Sequence, residues 1–179
     1  MSALEHAARI LKQGGLVAYA TEYCFGLGCD PMNERAVARL LRAKRRPAAK
    51  GLILIAAAID QLAPYVAAIP AHVAATWPGP YTWLLEPRAS VPRWITGAHP
   101  RIAVRVTAHA QAAALCRRAG MAIVSTSANR AGQHPARSHR EVLRRFGMDI
   151  DYVLPGRVGD LDAPTPIRDA VTGGSIRGD

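Results

Sequence analysis

The chain has 179 residues, half of them apolar, and a formal charge of +10. A chain of that length buries roughly 70% of its extended surface, so it needs neither disulfides nor a structural metal to fold. Its apolar content excludes a disordered chain, and its excess positive charge favours phosphate-bearing partners, nucleotide or nucleic acid.

Ser2 and Glu5 have the spacing of a capping box, which starts a helix running to about Gln13, where Gly14 and Gly15 stop it. Leu16 to Ala20 reads as a strand that empties at once into Thr21, Glu22 and Tyr23, and Gly26-Leu27-Gly28 reads as a flexible turn. Asn33 can cap the next helix. Ala36, Val37, Leu40 and Leu41 form its apolar stripe, and Arg35, Arg39 and Arg42 share the opposite, solvated face. Pro47 ends that helix upstream of itself. Lys44 to Gly51 is then a basic loop before the buried strand Leu52 to Ile55.

Asp60 to about Ala75 reads as a helix broken near Pro64 and Pro70. Trp77 to Tyr81 is a rigid turn, Thr82 to Glu86 a strand, and Pro87 to Pro100 a loop. Arg101 to Val106 alternates, placing Arg101 and Arg105 on one face and Ile102, Val104 and Val106 on the other. A helix from Ala108 to Ala119 stops at Gly120. Ala122 to Gly132 follows as a strand emptying into a turn crowded with Ser125, Thr126, Ser127 and Asn129. Open α/β sheets build ligand sites at such carboxyl ends of strands. Ser138 and Glu141 form another capping box, for a helix to Phe146, and short strands near Tyr152–Leu154 and Ile167–Val171 finish the chain. Helices and strands interleave without a linker or repeat, which predicts one α/β domain over 1–179.

The longest apolar run, Leu52 to Ile59, is too short to span a bilayer. Met1 to Glu5 lacks a signal pattern, so the expected location is the cytoplasm. Cys24, Cys29 and Cys116 are scattered, contain no C-x-x-C pair and form no cluster with the His residues, which argues against zinc. The two commonest phosphate loops are absent, and with no G-x-S-x-G elbow Ser125 and Ser127 are poor nucleophiles. What remains is cations and hydroxyls, a set that binds and polarises phosphates without a protein nucleophile. Only three of the 23 basic residues are Lys, namely Lys12, Lys44 and Lys50, and two of these flank the basic loop. Lys44, Arg46 and Lys50 can neutralise a triphosphate. Arg101 and Arg105 can clamp a carboxylate or phosphate through their forks.

The stretch from Gly14 through Thr21-Glu22 to Asp30 resembles the opening motif of the YrdC/TsaC family of threonylcarbamoyl-AMP synthases. Lys44-Arg45-Arg46-Pro47 with Lys50-Gly51, Trp77-Pro78-Gly79-Pro80, Ile102 to Arg105, and Ser125 to Asn129 continue the match in order. Pro164 to Asp169 and Ile176-Arg177 close it. The resemblance implies an open twisted mixed sheet with flanking helices around a basic cavity. It implies that L-threonine, bicarbonate and ATP give threonylcarbamoyl-adenylate and pyrophosphate, the adenylate supplying the t6A modification of tRNA. It assigns Lys44, Arg46, Ser127 and Asn129 to a nucleotide tetrad in which Lys44 and Arg46 are catalytic. Lys50, Arg101 and Arg177 fall on the nucleotide side, and Thr21, Arg105, Ser125 and Thr165 fall around the threonine.

Two positions depart from the pattern: Ala20 stands where Pro is usual, which loosens the turn holding Thr21, and Ala131 stands where Ser is frequent. Mg²⁺ is expected, held mainly by the ATP phosphates. tRNA is an expected partner, met directly or through downstream t6A-transfer proteins. The competing reading is a basic RNA-binding module of the same fold without nucleotidyltransferase activity, binding by counterion release.

Overall fold

The computed structural model describes residues 1–177. Helix α1 spans Ala3–Lys12 behind a complete capping box: Ser2 Oγ accepts from Glu5 N at 3.2 Å and Glu5 Oε2 accepts from Ser2 N at 2.9 Å. Strands β1 (Val17–Ala20) and β2 (Phe25–Gly28) follow. Gly26-Leu27-Gly28, expected as a turn, is therefore strand. β2 lies between β1 and β6 (Ile123–Ser127), and their ladders outweigh the weak local preference of glycine.

Asn33 caps α2 (Glu34–Lys44), its Oδ1 accepting from Ala36 N at 3.1 Å. Arg45 ends the helix with φ 51°, the one positive φ at a non-glycine residue among those described, in the place where glycine usually sits. Strand β3 covers Ile53–Ala56. The expected Asp60–Ala75 helix is reduced to a 3₁₀ turn at Ile59–Leu62 and one turn of α3 (Ala71–Ala74), because Pro64 and Pro70 interrupt it more completely than a kink.

Strand β4 is Thr82–Leu85. The expected loop 87–100 contains α4 (Arg93–Thr96), whose Ile95 is fully buried. Gly97 follows at φ 65°, where a Cβ would stand 2.5 Å from Ala49 O and Gly51 N, so α4 packs directly under the basic loop. Strand β5 is Ile102–Val106 and α5 is Ala110–Ala119, closed by left-handed Gly120. In α6 (His139–Phe146) Ser138 caps Glu141 N, but Glu141 Oε2 accepts from Arg137 N at 2.7 Å, so the predicted box is shifted by one residue. Strands β7 (Tyr152–Val153) and β8 (Ile167–Asp169) were expected; β9 (Ser175–Arg177) was not.

The strands form one mixed sheet in the order β7-β1-β2-β6-β3-β5-β4-β8-β9. One face, with Ala18, Leu27, Leu54, Val104 and Val124, packs against α2 and α6. The other, with Val17, Tyr19, Ile55 and Ile123, packs against α1 and α5. The alternation in β5 holds as expected, with Ile102, Val104 and Val106 in the first of these cores.

Candidate functional site

Part of the face beneath α1 and α5 is left uncovered, and it forms an open cavity of about 240 Å³. Its floor comes from Gly26, Ile53, Arg105 and Ser125, one residue from each of four neighbouring strands. The predicted ligand residues Thr21, Arg46, Arg105, Ser125, Ser127, Asn129, Thr165 and Arg177 all line it. An adjoining recess of about 100 Å³ is lined by Lys44, Arg45, Arg46 and Lys50, with Ser127 and Asn129 facing both spaces. No Asp or Glu lines either.

At one end Arg105 is buried. Its Nη1 donates to Thr165 Oγ1 at 2.6 Å and its Nη2 to Glu22 Oε2 at 3.1 Å, and its buried Nε has no protein partner. Thr107 donates to the other Glu22 oxygen at 2.6 Å. Burial alone would raise the Glu22 carboxyl, but the Arg105 charge and the Thr107 hydroxyl more than offset it and hold it below its ordinary value. Arg177 Nη2 donates to Thr165 O at 3.0 Å and fixes the loop that carries Thr165. That loop crosses the β1–β2 turn, Gly159 N donating to Thr21 O at 2.9 Å and Leu161 N to Glu22 O at 3.2 Å. The turn is not loosened by Ala20: Thr21 N and Thr21 Oγ1 both donate to Cys24 O, at 3.0 and 2.7 Å.

At the other end the basic segment is not the plain loop its sequence suggested. Lys44 is the last residue of α2 and only 4% exposed. Its Nζ donates to the backbone carbonyls of Ser127 and Asn129. Arg45 turns the chain through the left-handed region, so Lys44 and Arg46 converge on the recess from a helix end and the segment after it. Burial, then the charge of Arg46, pulls the Lys44 ammonium down to about 8. Burial also lowers Arg46 and Arg177, the latter with help from the charge of Arg105. Arg46 Nη2 donates to Gly51 O at 3.0 Å, while its Nε is buried without a partner. Ser127 Oγ donates to Asn129 Oδ1 at 2.6 Å, and Asn129 Nδ2 donates to Arg130 O and Gln133 O, so these two side chains brace the turn around Lys44. Burial pushes the Cys24 thiol up to about 11, which makes it a poor nucleophile.

Lys50 reaches only the rim of the recess and is exposed. Arg101 is not brought to the cavity. It shares a strand face with Arg105 but precedes β5, four residues and roughly 13 Å away along the strand. There the backbone N–H groups of Thr172 and Val171, and then Arg101, hold the Asp169 carboxyl low. Arg39, expected to be solvated with Arg35 and Arg42, instead forks onto both oxygens of Asp151 at 2.7 and 2.9 Å. Ala131 lines the recess, so that position presents no hydroxyl. The reading of the sequence missed Glu22 and Thr107. The signal for Thr107 was the same alternation that singled out Arg105, extended by two residues.

A family model described as telomere recombination, covering Sua5, yciO and yrdC, matches residues 9–177. The chain is 55% identical over 178 residues to the threonylcarbamoyl-AMP synthase of Halorhodospira halophila, covering 97% of this chain and 93% of that one. The crystal structure of P. abyssi Sua5 complexed with L-threonine superposes with a TM-score of 0.89 at 32% identity, over 96% of this chain and 52% of that one. The chain thus spans about half of that longer protein. The crystal structure of E. coli YciO superposes with a TM-score of 0.79 at 26% identity, over 98% of this chain and 90% of that one.

Proposed function

The chain belongs to the Sua5/YciO/YrdC family, and from that membership and its cavity we infer that it condenses L-threonine, bicarbonate and ATP into threonylcarbamoyl-AMP and pyrophosphate, with release of water. The observation that carries this reading is the charge of the cavity. Three guanidiniums line it, two ammonium groups line the adjoining recess, and no carboxylate lines either. Such a site gathers a triphosphate and an amino-acid carboxylate, two anions that repel each other in water.

The threonine carboxylate is placed on Arg105, whose Nε remains to be paired. The Thr21 hydroxyl donates to Cys24 O, so it faces substrate as an acceptor and suits the amine. Ser125 lies opposite. The phosphates are placed on Arg46 and Arg177, on the free N–H of Lys44, and at the rim on Lys50. Arg101 has no part in this assignment. The attacking oxygen comes from the carbamate of threonine itself, so the protein supplies alignment and charge and no nucleophile. Ser127 and Asn129 act by holding the turn whose carbonyls aim Lys44.

Among the described residues no three His, Cys, Asp or Glu side chains could hold a metal ion together, and Glu22 is committed to Arg105 and Thr107. These donors fit Mg²⁺ only as an ion carried by the ATP phosphates, where it would neutralise charge on the departing pyrophosphate. The adenylate is a reactive mixed anhydride and supplies t6A modification of tRNA, with tRNA met directly or through downstream transfer proteins. No helix among the described residues is long and apolar enough to cross a membrane, in keeping with work in the cytoplasm.

The test is mass detection of the product. Threonylcarbamoyl-AMP is expected only when ATP, bicarbonate and threonine are all present. Its absence with all three, alongside tight RNA binding, would return the chain to the RNA-module reading.

A further inference from the structure

We propose that Gly26 determines specificity at the amino-acid end: its missing side chain leaves the depression that receives the β-carbon substituents of the substrate. The proposal rests on the threonine reading of the cavity. Gly26 lies in β2 opposite Tyr19 of β1 and Ser127 of β6, and it lines the cavity floor. A Cβ placed there would stand 3.3 Å from Thr21 Cγ2, 3.3 Å from Tyr19 Cζ and 3.4 Å from Ser125 Oγ. It would therefore occupy the space between the two hydroxyl residues placed around the threonine.

The backbone does not require glycine at this position. Gly26 is not among the glycines with positive φ, and none of the three nearest neighbours of its Cβ is a backbone atom. Gly28, two residues along on the same face, differs. A Cβ there would lie 2.5 Å from Val124 O and 2.8 Å from the Tyr19 ring, so packing alone explains it. A glycine inside a strand is destabilising relative to alanine. At Gly26 conformation does not account for that cost; the packing is tight without being prohibitive, since a Cβ would meet three side-chain atoms at 3.3–3.4 Å and none of the backbone, and it would fill the space between Thr21 and Ser125.

The walls of the depression match a carbon bearing one methyl and one hydroxyl. Because Thr21 Oγ1 is committed to Cys24 O, its methyl faces Gly26. The Tyr19 hydroxyl donates to Val124 O at 3.1 Å, and its ring carbon Cζ lies 3.3 Å from where that Cβ would stand. Ser125 Oγ is the polar wall. A methyl, a ring edge and a hydroxyl thus surround the position, and glycine as substrate would leave it unfilled.

The experiment compares Gly26→Ala with the wild type by calorimetric binding of L-threonine, glycine and ATP, with Gly28→Ala as the packing control. For Gly26→Ala the threonine affinity should fall about thirtyfold while glycine and ATP change less than about threefold, the range a single methylene commands in a fitted pocket. Gly28→Ala should lower Tm instead. Equal losses for threonine and glycine, or no loss for either, would overturn the proposal. Should Gly26→Ala fail to fold, the wild type still decides. It should bind threonine about thirtyfold more tightly than both glycine and 3-hydroxyvaline, which adds a second β-methyl; comparable binding of the three would refute it. Threonine discrimination without pyrophosphate release would count against the synthase reading and leave the Gly26 assignment standing.

Discussion

Arg105 and Lys44 are both buried cations beside the same cavity, each 4% exposed, yet they are held in opposite ways. Arg105 faces a buried carboxylate and a hydroxyl, so its charge is offset and its fork is oriented before substrate arrives. Lys44 is bonded only to carbonyl oxygens and stands beside another cation, Arg46. Burial, then the charge of Arg46, brings its ammonium down to about 8. The difference separates two tasks. The amino-acid end is a preset geometry, whereas the phosphate end is an uncompensated charge that the substrate completes.

Breaking the first arrangement should have the largest effect. Arg105→Ala leaves Glu22 buried with Thr107 alone, and breaking a buried pair costs about 3–5 kcal/mol. Thermal unfolding should show that loss, and the KM for threonine should rise about a hundredfold with the KM for ATP little changed. A Glu22→Gln/Arg105→Met double variant should recover much of the stability without recovering threonine use. Recovery of both would place the carboxylate elsewhere.

Lys44→Met sharpens the contrast. It removes two hydrogen bonds to carbonyls, each worth about 1–3 kcal/mol when left unsatisfied, but it also relieves a buried charge. The net change in stability should stay within about 2 kcal/mol, while the KM for ATP rises by about tenfold or more. A collapse in stability with unchanged ATP use would make Lys44 purely structural.

A smaller effect should appear with pH. Lys44 keeps its proton in the unfolded chain up to about 10.5 but sheds it near 8 in the folded protein. Between those values the unfolded state binds more protons, so this group makes stability rise with pH. ATP affinity should move the other way, falling severalfold from about pH 8 to 9.5 as the ammonium is lost. Titration of ATP binding across that range should show the fall in the wild type and a flatter profile in Lys44→Met.

The smallest effect is expected on the outer helix face. Arg39 is already paired with Asp151, which leaves Arg35 and Arg42 as the exposed pair. Replacing both with Ala should reduce the salt slope of bulk RNA binding by about 2 and leave pyrophosphate release unchanged. Loss of sequence-selective RNA binding in that variant would contradict the view of this face as solvated charge.

Most elements were legible because their signals are local. Ser2, Asn33, Gly120 and Ser138 mark helix ends through bonds that reach three or four residues, and β5 shows its faces through a period of two. Reading failed where partners are distant. Gly26-Leu27-Gly28 looks like a turn until strands on both sides pair with it. Arg101 and Arg105 look alike by alternation, but only Arg105 lies where the sheet face lines the cavity. The loop expected from Lys44 to Gly51 instead begins as the end of α2, turns through the left-handed region at Arg45 and is supported by α4 beneath it.

By itself the sequence determined the α/β class, the caps and stops, and the identity of the cations and hydroxyls that gather at the site, since these follow from residue type and short-range spacing. Only the tertiary structure decided how those groups are used. Glu22 and Arg105 are 83 residues apart, and Lys44 finds its carbonyls at separations of 83 and 85. Which charge is offset and which is left for the substrate depends on the strands that become neighbours, because electrostatic pairing acts through space and is set by burial rather than by distance along the chain.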